Sequence, residues 1–167
     1  MKNILSKPAA RRLALTGITA AVYVVLSLLF PYIAYGEIQC RLSEVLNLLA
    51  FFNPVFAPGI ILGCFVTNLF SPFFLDCIIG TGATALTMFF VTRSKSLFTA
   101  SLWPTVFCVI IGAEILFMSG PPFMLSKFII ITLSVMAGEF LAVTVIGYPL
   151  FRFLMKNDRL MQLIKSL

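Results

Sequence analysis

The chain has 167 residues, 60% of them hydrophobic and 11% charged, with twelve Lys and Arg against six Asp and Glu and a net charge of +6. That leaves too little polar surface for a soluble helical bundle of this length. The composition is that of an integral membrane protein, read as a single membrane domain over residues 1–167.

The apolar runs and their breakers predict six membrane helices in an all-α fold. The first covers residues 13–30 and ends at Pro31. It follows a basic N-terminus, as a signal peptide would, but it is too long for a signal core and has no small-x-small cleavage site. It is therefore read as a retained helix. The second covers 41–52 and stops at Asn53-Pro54. The third covers 57–70 and stops at Ser71-Pro72. Both are short for a full crossing. The fourth, fifth and sixth cover 75–91, 97–117 and 125–151. Residues 152–167 form a basic tail with Leu160, Leu163, Ile164 and Leu167 at helical spacing, which lies on the membrane surface or caps the bundle. No alternation of period two runs through the chain, so a β-barrel is not expected.

The charge pattern predicts an orientation. Lys2, Lys7, Arg11 and Arg12 precede the first span, Arg93 and Lys95 join the fourth and fifth, and Arg152, Lys156, Arg159 and Lys165 follow the sixth. Six crossings put all three regions on one side, the cytoplasm, together with both termini. The net positive charge is thereby explained without a nucleic-acid partner.

Several chemistries are absent from the sequence. It has no Walker-type phosphate loop, no nucleophile elbow and no histidine to serve as a base. The four cysteines, Cys40, Cys64, Cys77 and Cys108, form no CxxC pair, so no metal site is expected. Cys40 and Cys77 both fall near the outer face, and a bridge between them stays open at this point. The chain is read as a non-enzyme.

What remains is a set of polar groups at the outer ends of the spans. The segment from Gly36 to Asn47 holds Glu37, Gln39, Arg41, Ser43, Glu44 and Asn47. Arg41, Glu44 and Asn47 are three residues apart and stack along one helix face. Asn68, Asp76, Glu114 and Lys127 fall at similar depth on the other spans. Intramembrane charges are costly and usually functional. Two cations, Arg41 and Lys127, cannot neutralise Glu37, Glu44, Asp76 and Glu114 together. The surplus of acid predicts a ligand with hydrogen-bond donors or a positive charge. Glu139 falls about 18 Å further along its helix than Lys127, and is placed outside this cluster. Phe30, Tyr32, Tyr35, Phe73, Phe74 and Phe117 are candidates to stack against a ligand ring. Ala14, Gly17 and Ala21 form a small face on the first span that suits contact with another membrane subunit. Gly80, Gly82 and Ala83 form a similar face on the fourth, read as internal packing.

The run Gly36-Glu37-Ile38-Gln39-Cys40-Arg41-Leu42-Ser43-Glu44-Val45-Leu46 resembles the signature of the QueT family, in which an Ile-Gln-x-Arg-x-Ser-Glu core opens the second helix. The resemblance continues through Leu62-Gly63-Cys64, Asn68-Leu69, Asp76-Cys77-Ile78-Ile79-Gly80-Thr81 and Thr84, over roughly residues 12 to 90. It implies a six-helix substrate-binding S-component of an energy-coupling factor (ECF) transporter. The implied ligand is a queuosine precursor, a 7-deazaguanine such as preQ0 or preQ1. The implied partners are a T-component and two cytoplasmic ATPases that hydrolyse ATP, with no cofactor on this chain. Taken together with the polar cluster, the expected substrate-binding residues are Gln39, Arg41, Glu44, Asn47, Asn68, Asp76, Glu114 and Lys127. The first helix contacts the T-component through a small-residue pattern, here Gly17 to Ala21 or Ala10 to Ala14. The competing readings are an S-component for a riboflavin- or biotin-type vitamin, and a stand-alone ion-coupled transporter using Glu139 as a relay. An inverted repeat would mark the latter, and none is visible.

Overall fold

The computed structural model of the protein describes residues 9–29, 41–71 and 74–167. Within them the regular structure is entirely helical. We number the helices α1 (Ala9–Leu29), α2 (Leu42–Phe52), α3 (Pro54–Asn68), α4 (Phe74–Val91), α5 (Leu97–Met118), α6 (Leu125–Leu154) and α7 (Asp158–Ser166).

Local chemistry accounts for the breaks. Asn53 precedes Pro54, is pushed out of the helical region to φ −151 and ψ 111, and caps α3 by accepting a bond from the Val55 amide at 3.2 Å. Ser96 caps α5 through the Thr99 amide at 3.1 Å, and Asn157 caps α7 through the Leu160 amide at 3.2 Å. Pro104 interrupts the hydrogen-bond ladder inside α5. In α6, Pro149 has no N–H to give the carbonyl four residues back. The turns before it widen into a π-helix over Phe140–Gly147, which begins directly after Glu139.

The packing shows how the chain alternates direction. Gly59 lies against Thr16 and Thr19, and Gly63 against Ala20 and Tyr23, so α1 and α3 run parallel at close range. Between them α2 returns the other way, from Ser43 beside Ser27 to Asn53 beside the C-terminal helix, whose Ile164 carbonyl accepts from Asn53 Nδ2 at 2.9 Å. Thus α2 and α3 form a hairpin hinged at Asn53-Pro54. At the same end Phe52 stacks on Phe151, with ring centroids 5.7 Å apart. The core runs through the bundle on Tyr23, Leu48, Ile60, Met88, Val91 and Val143. Leu13, Ile18, Val25, Leu86, Ile130 and Leu133 point outward and leave an apolar surface, as lipid requires.

Among the described residues, four helices are long and apolar enough to cross a membrane: α1, α4, α5 and the 30-residue α6. The two spans expected at 41–52 and 57–70 are the shorter apolar helices α2 and α3. The sixth helix runs on to Leu154, because Pro149 widens it rather than ending it. The tail caps the bundle, with Ile164 and Leu167 packed on the core. Gly82 is a correction: a Cβ there would meet nothing within 4 Å, so it faces outward, while Gly80 does lie inside against Asn68.

Candidate functional site

The polar groups come together at the end of the bundle away from the Asn53-Pro54 turn, chiefly on α2, α3 and α4. The start of α2 is a 3-10 turn over Leu42–Leu46, in which residues three apart eclipse one another. That geometry lines up Arg41, Glu44 and Asn47. Asn47 Nδ2 donates to Glu44 Oε2, and the hydroxyl of the fully buried Tyr23 donates to Glu44 Oε1. Glu44 is therefore held at both oxygens, with lone pairs left over. The Ser27 and Ser43 hydroxyls meet at 2.6 Å on the same side.

Arg41 turns away from Glu44. Its Nη1 donates to Asn68 Oδ1 at 2.9 Å, and its Nη2 lies 3.7 Å from Asp76 Oδ2. Asn68 Nδ2 donates in turn to the Asp76 carbonyl at 2.8 Å, and Ser71 donates to Asp76 Oδ2. The ends of α2, α3 and α4 are thus tied by one network. Glu114, on α5, is buried against Asp76, and its two oxygens meet no nitrogen or hydroxyl donor among the described residues.

Below this network lies a cavity of about 50 Å³. Its polar wall is Arg41, Glu44, Thr84, Thr87 and Glu139. Its apolar wall is Ala83, Pro104, Phe107, Ile111 and Val135. The mix of charged and apolar walls is that of a small-molecule site. Flat apolar surface beside convergent carboxylates suits a planar ligand rich in N–H donors.

Of the residues expected from the sequence, Arg41 and Glu44 line the cavity, while Asn47, Asn68 and Asp76 stand behind them as hydrogen-bond partners. Glu114 joins through Asp76. Lys127 sits half-buried on the first turns of α6 and is not among the cavity's walls. Gln39 and Glu37 lie outside the described residues, as do Cys40, Phe30, Tyr32, Tyr35 and Phe73. Cys77 is a free, buried thiol that donates to the Asn68 carbonyl at 3.4 Å. Phe74 and Phe117 are exposed, Phe117 stacking on Phe123 at 6.4 Å, and the cavity's aromatic is Phe107 instead.

The largest correction is Glu139. The sequence places it by its distance along one helix from Lys127, which is not on the cavity. Glu44 lies deeper than Arg41, and the cavity continues inward to Glu139. Tyr23 was also missed, because one tyrosine in an apolar span reads as packing. Ala14, Gly17 and Ala21 share an exposed face of α1, opposite Thr19, Ala20, Tyr23 and Ser27.

The QueT transporter family matches residues 13–156, which include all of this site. The chain belongs to the QueT family. Among curated proteins, it is 30% identical over 126 residues to the "Queuosine precursor transporter QueT" of Lactococcus lactis subsp. cremoris (strain MG1363), covering 65% of this chain and 75% of the relative. No solved structure matches it. As a QueT chain with several apolar helices, it is a multi-pass membrane protein of a transporter family.

Proposed function

We propose that this chain is the substrate-capture subunit of an ECF-type importer, and that it binds a queuosine precursor of the 7-deazaguanine class in the cavity walled by Arg41, Glu44 and Glu139. One observation carries the reading: in a QueT-family chain, the charged lining of a cavity inside an otherwise apolar bundle is two carboxylates and a guanidinium. A 7-deazaguanine offers ring N–H and exocyclic amine donors on one edge, which a held carboxylate such as Glu44 accepts in pairs. Its carbonyl suits Arg41, with Gln39 and Asn68 as alternatives, and its ring suits Phe107.

In this reading the chain crosses the membrane six times, with the α2–α3 hairpin counted as two crossings. Both termini are cytoplasmic and the ligand enters from outside. The support is the gathering of Arg11, Arg12, Arg93, Lys95, Arg152, Lys156, Arg159 and Lys165 toward one end of the bundle. The chain itself performs no catalysis and holds no cofactor. Two cytoplasmic ATPases hydrolyse ATP and act through a T-component docked on Ala14, Gly17 and Ala21. The membrane is its surroundings, and nucleic acid is not a partner.

The test is a calorimetric titration of the purified chain against preQ0, preQ1, guanine, riboflavin and biotin. We expect saturable binding of a 7-deazaguanine without any partner, and Glu44→Gln to weaken it about 10- to 100-fold, the worth of a hydrogen bond to a charged group. Binding of riboflavin or biotin with no affinity for 7-deazaguanines sinks the reading. Uptake by the chain alone, driven by an ion gradient, sinks the ATP-coupled part of it.

A further inference from the structure

The two carboxylates on the cavity are held very differently. Glu44 is fixed from behind by Tyr23 and Asn47. Glu139 is 7% exposed, stands on the cavity wall, and makes no hydrogen bond or ion pair among the described residues. Arg41, the guanidinium on the same cavity, is held by Asn68 and Asp76. Glu139 shares the cavity with Arg41 and Glu44, which act on it through space, and with the apolar Val135, Phe107 and Ile111 and the Cys108 thiol. A charged acid buried there without a hydrogen-bond partner is costly unless it takes up a proton or a cation sits beside it. Its position is also set by the backbone: the π-helix starts at the next residue, and such stretches recur at functional sites.

We propose that Glu139 is a specificity-determining residue that accepts a positively charged amine on the ligand, so that the cavity selects amine-bearing over amine-lacking members of one base class. The inference rests on the proposed 7-deazaguanine reading. The division of labour follows from the geometry. Reading a row of N–H donors on a flat edge demands a carboxylate of fixed orientation, which Tyr23 and Asn47 give Glu44. An ammonium is a point charge with three rotating donors. It needs a carboxylate nearby but no particular orientation, which fits a side chain left without anchors. The ligand then lies across the cavity with its donor edge toward Glu44 and its amine toward Glu139.

The test compares two ligands that differ in the amine alone as a charged group: preQ1, with an aminomethyl cation, and preQ0, with a neutral nitrile. Dissociation constants are measured for the wild type, Glu139→Gln and Glu139→Asp in the same detergent. Glu139→Gln should lose about 10- to 100-fold in affinity for preQ1, and change preQ0 binding by less than about threefold. Glu139→Asp, which keeps the charge, should recover part of the preQ1 affinity. Retained preQ0 binding shows that the variant is folded. An equal loss for both ligands, or no loss for either, overturns the role of Glu139 while leaving the 7-deazaguanine reading intact. A wild type that binds neither ligand overturns that reading and this inference with it.

Discussion

Glu44 works as a recognition group only because Tyr23 and Asn47 hold it. Tyr23→Phe keeps the ring that fills the core and removes the hydroxyl that donates to Glu44 Oε1. The released carboxylate is free to rotate, so we expect ligand affinity to fall about tenfold, with a stability loss of about 1–2 kcal/mol. Titration calorimetry and thermal unfolding of the same sample check both. Unchanged affinity would mean that Glu44 is held from elsewhere. At this scale the sequence was partly readable. The three-residue spacing of Arg41, Glu44 and Asn47 predicts a shared face, and the 3-10 turn provides one. The partners across helices were not readable, since neither the Tyr23–Glu44 bond nor the Arg41–Asn68 bond has any local signature.

Among the elements, α1 shows two faces made of similar residues with opposite consequences. On the inward face, a Cβ added at Gly63 would lie 2.7 Å from Tyr23 Cβ and 3.1 Å from the Ala20 carbonyl. Gly63→Ala should therefore force α1 and α3 apart, costing about 1–3 kcal/mol of stability and displacing Tyr23 from Glu44. On the outward face, a Cβ at Gly17 would meet nothing within 4 Å. Gly17→Leu should leave the melting temperature and ligand binding unchanged while lowering co-purification with a T-component. If the two variants fail in the same assay, the division between ligand side and partner side of α1 is wrong. Helix positions were legible to within a few residues, because proline and asparagine break apolar runs by a local mechanism. The π-helix of α6 was not, because Pro149 is equally compatible with a kink or a stop. The inward face of α1 was not legible either, since Gly59 and Gly63 that receive it sit on another helix.

For the whole molecule, the described basic residues Arg11, Arg12, Arg93, Lys95, Arg152, Lys156, Arg159 and Lys165 fall toward one end of the bundle. Lys95→Cys and Lys165→Cys, introduced singly, should both react with a membrane-impermeant thiol reagent only when the cytoplasmic side is exposed. The described native cysteines Cys64, Cys77 and Cys108 are buried, and the cysteine-free background also removes Cys40. Labelling of the two positions from opposite sides would overturn the six-crossing topology. The depth of the site was the feature least accessible to sequence reasoning. A one-dimensional ruler along α6 separates Glu139 from the outer cluster, whereas the cavity joins them through space between α2, α5 and α6.

The bond from Asn53 to Ile164 spans 111 positions of the chain. During synthesis the α2–α3 hairpin therefore enters the membrane long before the helix that covers its turn exists. Until then the Asn53 amide lacks the carbonyl that accepts its bond. A nascent chain stalled before Asp158 would show a quality-control protease a bare hairpin turn, and completion of the last two turns would hide it. Abundance in the cell should thus depend on the tail, even for truncations that leave every ligand-facing residue in place.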